Sequence, residues 1–147
     1  MPLCFSEATA PAVNPGPLGP LAASAAEKLK ASKHTVAVYE STTGGLMQAA
    51  LMSVSGSSGY MLPGTVTYSA KKATLLLGAD LSEPKPIEGY TGAEYIESKK
   101  RWTAAVARRM RGETDATWAV CEAGACGPTF NVSDGMTHGF TVVFVSG

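Results

Sequence analysis

Only two histidines and three cysteines occur among the 147 residues of this chain. His34 and His138 have no carboxylate pattern around them, so neither a zinc centre nor any other metal site is expected. Cys4, Cys121 and Cys126 are odd in number and lack the spacing of a secreted disulfide framework, which favours a reducing compartment, by default the cytoplasm. Net charge is missing too: twelve basic and twelve acidic side chains cancel. No overall field then draws the chain to nucleic acid or to an acidic membrane surface, and a small-molecule ligand fits better. No apolar run approaches membrane-spanning length. The first twenty residues carry Pro2, Pro11, Pro15, Pro17 and Pro20 but no lysine, arginine or continuous apolar stretch. They read as an irregular arm (1–20) and not as a targeting segment. Residues 21–147 are long enough for one domain with one core.

The richest stretch is Glu40-Ser41-Thr42-Thr43-Gly44-Gly45. Before it, Thr35 to Tyr39 is β-branched and apolar; after it, Leu46, Met47, Ala50, Leu51 and Val54 recur at helical spacing. A strand-to-helix turn made of hydroxyls and glycines is predicted. The first amides of such a helix lack intrahelical partners and carry the positive end of its dipole, so they suit a phosphate or a developing oxyanion. Glycine allows a ligand close to the backbone. The bland alternative is an ordinary capped turn.

Elsewhere, Leu21 to Ser32 predicts a short amphipathic helix, Ser55 to Gly59 a flexible turn, and Thr65 to Tyr68 a strand. Ser69 is placed to cap a third helix running to Leu77, and 79–92 reads as a long loop with Pro84 and Pro86. Glu94 to Arg111 is the longest predicted helix, with Tyr95, Trp102, Ala105, Val106 and Met110 on one stripe and Gly112 ending it. Lys99, Lys100, Arg101, Arg108, Arg109 and Arg111 are half of the twelve basic residues, and they read as its solvated face. Residues 116–121 and Phe140 to Ser146 predict two more strands. The last is apolar on both faces, as expected inside a sheet. Cys121 and Cys126 read as small apolar residues, and Met47, Met52, Met61 and Met110 as core groups. Strands alternating with helices predict an α/β domain, a three-layer α/β/α sandwich around a mixed, partly parallel sheet.

Three segments together carry a family resemblance: Glu40 to Gly45; Gly56-Ser57-Ser58 with Val66-Thr67-Tyr68-Ser69; and Ala125-Cys126-Gly127-Pro128. In order and spacing the chain resembles the C-terminal domain of the CinA (competence/damage-inducible) family, the nicotinamide-nucleotide amidases, whose pattern is E-S-C-T-G-G, then G-S-S with V-T-Y-S, then G-I-A-G-P. The resemblance implies deamidation of nicotinamide mononucleotide, or a related pyridine nucleotide, to the nicotinate form plus ammonia, without metal or organic cofactor. It implies Ser41 as nucleophile, assisted by Tyr68. It also implies substrate contacts from the glycine-rich segments, at Glu40, Thr42, Thr43, Gly44, Gly45, Ser57, Gly127, Pro128 and Thr129. The backbone amides around Thr43 to Gly45 are candidates either for an oxyanion or for the nucleotide phosphate.

This chain departs from the family pattern at one chemically important position. The family's lysine, five residues beyond the tyrosine, is Ala73 here, and Lys71 and Lys72 are the nearest replacements. A serine hydroxyl needs a base to accept its proton, so the alternative function is a catalytically inactive ligand-binding or interaction protein. Bacterial members also continue past the last strand into a further helix. A sheet face is then left for the N-terminal helix or a second subunit to cover, and a homo-oligomer is expected.

Overall fold

In a computed structural model of the chain, residues 16–68, 78, 81, 91–126 and 139–147 are described. The predicted helix after Ser69, most of the 79–92 loop, Lys71 and Lys72, and Gly127, Pro128 and Thr129 lie outside them. Among the described residues four strands form one sheet: β1 (Val36–Glu40), β2 (Thr65–Val66), β3 (Trp118–Ala125) and β4 (Phe140–Ser146), in the order β2-β1-β3-β4. β1 runs parallel to β2 and β3, with Tyr39 opposite Thr65 on one side and Cys121 on the other. β4 is antiparallel to β3. All five residues of β1 are buried, as its unbroken apolar run requires of a central parallel strand.

Among the described residues three α-helices flank the sheet: α1 (Gly19–Ser32), α2 (Leu46–Met52) and α3 (Gly92–Thr114). Strand alternation divides the core. Ala37, Tyr39, Ala119, Cys121 and Ala123 face α3, against Trp102, Val106, Ala107 and Met110. Val36, Val38 and Val120 face the other way, against Ala26 and Leu29 of α1, Met47 and Leu51 of α2, and Tyr60. Helices on both faces of a mixed sheet make the expected three-layer α/β/α arrangement. Trp102 meets Tyr39 edge-to-face, 5.7 Å between ring centres, and burying each of these large rings contributes about 2–3 kcal/mol. No helix among the described residues is long and apolar enough to cross a membrane.

Several boundaries differ from the sequence expectation. α3 starts earlier, because Thr91 and Glu94 form a reciprocal capping box, and it runs through Gly112 to Thr114. Glycine ends a helix only where the backbone turns left-handed; here Asp115 does so, at φ 52°. β2 is two residues long, not four. β4 is the edge of the described sheet, not its interior, and Val143 and Val145 are exposed. Its apolar residues alternate between one covered face and one open face. Met52 and Cys126 are exposed as well, and Lys99, expected on the solvated face of α3, is buried.

The buried turn at the end of β1

Ser41 to Gly45 connects β1 to α2 at the carboxyl edge of the parallel strands. The turn needs two left-handed glycines in succession, Gly44 at φ 64° and Gly45 at φ 97°, the second directly preceding α2. A side chain at either would be strained.

Two carboxylates hold this turn from inside. Glu40, the last residue of β1, is fully buried and accepts the Met47 amide at 3.0 Å, the Gln48 amide at 2.8 Å and the Thr43 hydroxyl at 2.6 Å. It thereby occupies the amino end of α2, where an ordinary cap would sit. Glu122 reaches over from β3. One of its oxygens accepts the Ser41 amide at 3.1 Å, the Thr43 amide at 3.0 Å and the Thr43 hydroxyl at 2.8 Å. The other accepts the hydroxyl of Thr42 and that of Thr141, the latter at 2.5 Å. Burial works to raise the Glu122 pKa, but the hydrogen bonds from Thr141, Thr42 and Thr43 outweigh it and bring it down to about 2. Glu122 is therefore a permanent anion near neutrality, and it fills a place that the amides of the turn would otherwise offer to a ligand.

The expected site residues separate accordingly. Ser41 lies at the centre, 5 % exposed, with its amide fixed by Glu122. Glu40, expected to touch substrate, instead supports the turn from below. The Thr43 amide, expected to serve an oxyanion or a phosphate, is committed to Glu122, which leaves Gly44 and Gly45 outside the carboxylate network. Ser57 accepts the Tyr60 and Met61 amides through its carbonyl in the short turn after α2, away from this network. Tyr68 lies just past β2 with its side chain in solvent, 85 % exposed. Neighbouring Thr67 is tied in, through its amide to the Glu40 carbonyl at 2.9 Å and through its hydroxyl to Tyr39. Lys71, Lys72, Gly127, Pro128 and Thr129 are not among the described residues.

Sequence reasoning missed Glu122, Thr141 and Lys99. A glutamate in the middle of an otherwise apolar strand, Trp118 to Ala125, was the available signal for the first, since a buried carboxylate requires donors. Lys99 sits one turn before the middle of the α3 stripe, 2 % exposed, its ammonium 5.7 Å from the Tyr95 ring centre and 5.6 Å from that of Trp102.

A family model described as CinA C-terminal domain matches residues 19–145. A CinA-like protein of Koribacter versatilis is 39 % identical over 100 residues, covering 68 % of this chain and 22 % of that protein. One from Syntrophus aciditrophicus is 43 % identical over 97 residues, 66 % of this chain and 21 % of that protein. The matched part thus spans about a fifth of these relatives' length. The crystal structure of competence/damage inducible protein CihA from Agrobacterium tumefaciens superposes with a TM-score of 0.68 at 24 % identity, covering 88 % of this chain and 73 % of that one. At that identity the likeness carries the fold.

Proposed function

This chain belongs to the CinA C-terminal domain family, and from that premise we propose that it is an amidohydrolase converting nicotinamide mononucleotide, or a related pyridine nucleotide, to the nicotinate form with release of ammonia. The observation that carries the reading is Ser41, placed at the carboxyl edge of a parallel sheet on a turn that Glu40 and Glu122 make rigid. Ligands of open α/β sheets bind at that edge, and a nucleophile held in one orientation loses little entropy on attack. In the reaction, Ser41 Oγ adds to the carboxamide carbon and its proton passes to a base. The tetrahedral intermediate then expels ammonia, leaving an ester on Ser41 that water cleaves. Thr42 and the Gly44 and Gly45 amides border Ser41 and are assigned to the substrate side, and the family resemblance assigns Gly127, Pro128 and Thr129 to the substrate as well. Tyr68 must turn inward from solvent to assist. No cofactor is required, and the active form is a cytoplasmic homo-oligomer.

A second reading has its own support. Ala73 stands where the family has lysine, and the Tyr68 ring lies in solvent, which together suit a protein that binds the nucleotide without turning it over. A thermal shift with nicotinamide mononucleotide, run beside an assay for nicotinate mononucleotide, separates the two. Stabilisation with product supports the amidase, stabilisation without product supports the silent binder, and neither effect removes both.

A further inference from the structure

Every donor around Glu40 and Glu122 is neutral. Glu40 is held by the Met47 and Gln48 amides and the Thr43 hydroxyl. Glu122 is held by the Ser41 and Thr43 amides and by the hydroxyls of Thr42, Thr43 and Thr141. Among the described residues no cation joins either set. Lys100 with Glu97 and Arg109 with Glu113 pair along α3, and the Lys99 ammonium lies against the Tyr95 and Trp102 rings. Hydrogen bonds from amides and hydroxyls satisfy a carboxylate and keep it ionised, but they leave its charge in place. Ser41 therefore stands on a turn with two fully buried negative charges behind it, one of them bonded to its own amide.

That charge bears on what the site takes. Attack of a hydroxyl on an amide carbon builds an oxyanion, and a fixed anion behind the nucleophile opposes it. A carboxamide on a neutral ring meets this opposition in full. A pyridinium ring, bonded directly to the carboxamide carbon, brings a positive charge with it. An attacking pose of about 3–3.5 Å from Oγ to that carbon sets the cation beside the turn, where it is attracted on binding and stays next to the oxyanion as this forms. The phosphate of a nucleotide is repelled from the same place, since Glu122 already occupies the Ser41 and Thr43 amides.

We propose that Glu122 makes this site selective for the oxidised pyridine nucleotide, whose ring is a cation, over the reduced form, whose ring is neutral. The inference rests on the proposed reading of Ser41 as the residue that meets the carboxamide. Glu122 acts from behind the turn, through its field and its hold on Ser41 and Thr42, and does not itself touch the substrate. The same hydrogen bonds that fix it hold its carboxyl down at about 2, so the charge persists near neutrality. Glu40 adds to the field from the amino end of α2.

Nicotinamide mononucleotide and its dihydro form share carboxamide, ribose and phosphate and differ by one hydride, which removes the ring charge. Titration calorimetry should show the wild type binding the oxidised form at least about tenfold more tightly. In Glu122→Gln, with the fold checked by circular dichroism, the two affinities should come within about threefold of each other. Glu40→Gln should narrow the ratio in the same direction. The wild type alone supplies a further arm: the cation 1-methylnicotinamide should displace the nucleotide at concentrations where neutral nicotinamide does not. Equal wild-type affinity for the two nucleotide forms would overturn the proposal and leave the amidase reading standing, and so would a preference that survives intact in Glu122→Gln. A wild type that binds neither form would remove the nucleotide reading and the proposal with it. Preference for the oxidised form that is lost in Glu122→Gln, in a protein that releases no ammonia, would uphold Glu122 and reject turnover alone.

Discussion

The carboxylates of Glu40 and Glu122 meet across a single hydroxyl, that of Thr43, which lies 2.6 Å from one and 2.8 Å from the other. A hydroxyl has one proton, so it can donate to only one of them at a time. The other amides and hydroxyls around the pair then carry the rest of the stabilisation. Removing Glu122 leaves the Ser41 and Thr43 amides and the Thr42 and Thr141 hydroxyls without this acceptor. Glu122→Ala is expected to cost about 3 kcal/mol, read as a lower midpoint in denaturant. An unchanged midpoint would show that the turn does not depend on this carboxylate.

Acid sensitivity follows from the same residue. The Glu122 carboxyl is depressed from 4.5 to about 2, so its stabilisation is present above the upper value and is lost as pH falls through the lower one. That difference is worth about 3 kcal/mol. Stability of the wild type should decline between pH 4.5 and about 2 more steeply than that of Glu122→Gln, which has no such charge to lose. Parallel curves would contradict the assignment.

Lys99 gives the opposite sign at the alkaline end. Its folded-state pKa, near 8, is below the ordinary 10.5. The cost of burying its charge is therefore fully present below pH 8 and is relieved as pH rises between those values, because the folded chain gives up its proton first. Wild-type stability should climb over this interval relative to Lys99→Met, which has no such charge to shed. Chemical denaturation of both proteins across that range reads the difference, and parallel curves would contradict it.

Gly45 tests the backbone of the turn. At φ 97° it precedes α2, and an added Cβ would come into close contact with Val66 at 3.4 Å. Gly45→Ala should cost about 1–2 kcal/mol, although alanine is the better helix former. A neutral or stabilising result would mean the turn has another accessible conformation.

The open face of β4 bears on the proposed homo-oligomer. Val143 and Val145 are 53 % and 54 % exposed. In sedimentation, Val143→Lys with Val145→Lys should sediment as a monomer at concentrations where the wild type is assembled, since paired charges oppose apolar contact. A wild type that is monomeric throughout would remove the oligomer from the proposal.

Much of this fold was legible in the sequence because each signal was local. The period of 3.6 in α3, the apolar run of β1 and the glycines after it all act within a few residues. The ends of α3 were less so, since Gly112 resembles a stop signal while the capping box at Thr91 and the left-handed Asp115 decide the boundaries. β4 misled because apolar residues on both faces suggest an interior strand, whereas position in a sheet is set by long-range pairing. Ser41 stood out on its motif. Its partner Glu122, 81 positions away, did not, because nothing in local spacing records which strand will lie beside β1. Lys99 was hidden among neighbours of the same charge that do face solvent.

Ammonia release from nicotinamide mononucleotide, compared between the wild type and Ser41→Ala, tests the central claim most directly. The account predicts turnover by the wild type and a loss on the order of 1,000-fold or more in the variant, with the fold intact by circular dichroism. Equal rates in the two proteins, or no ammonia from the wild type at any pH, would contradict it.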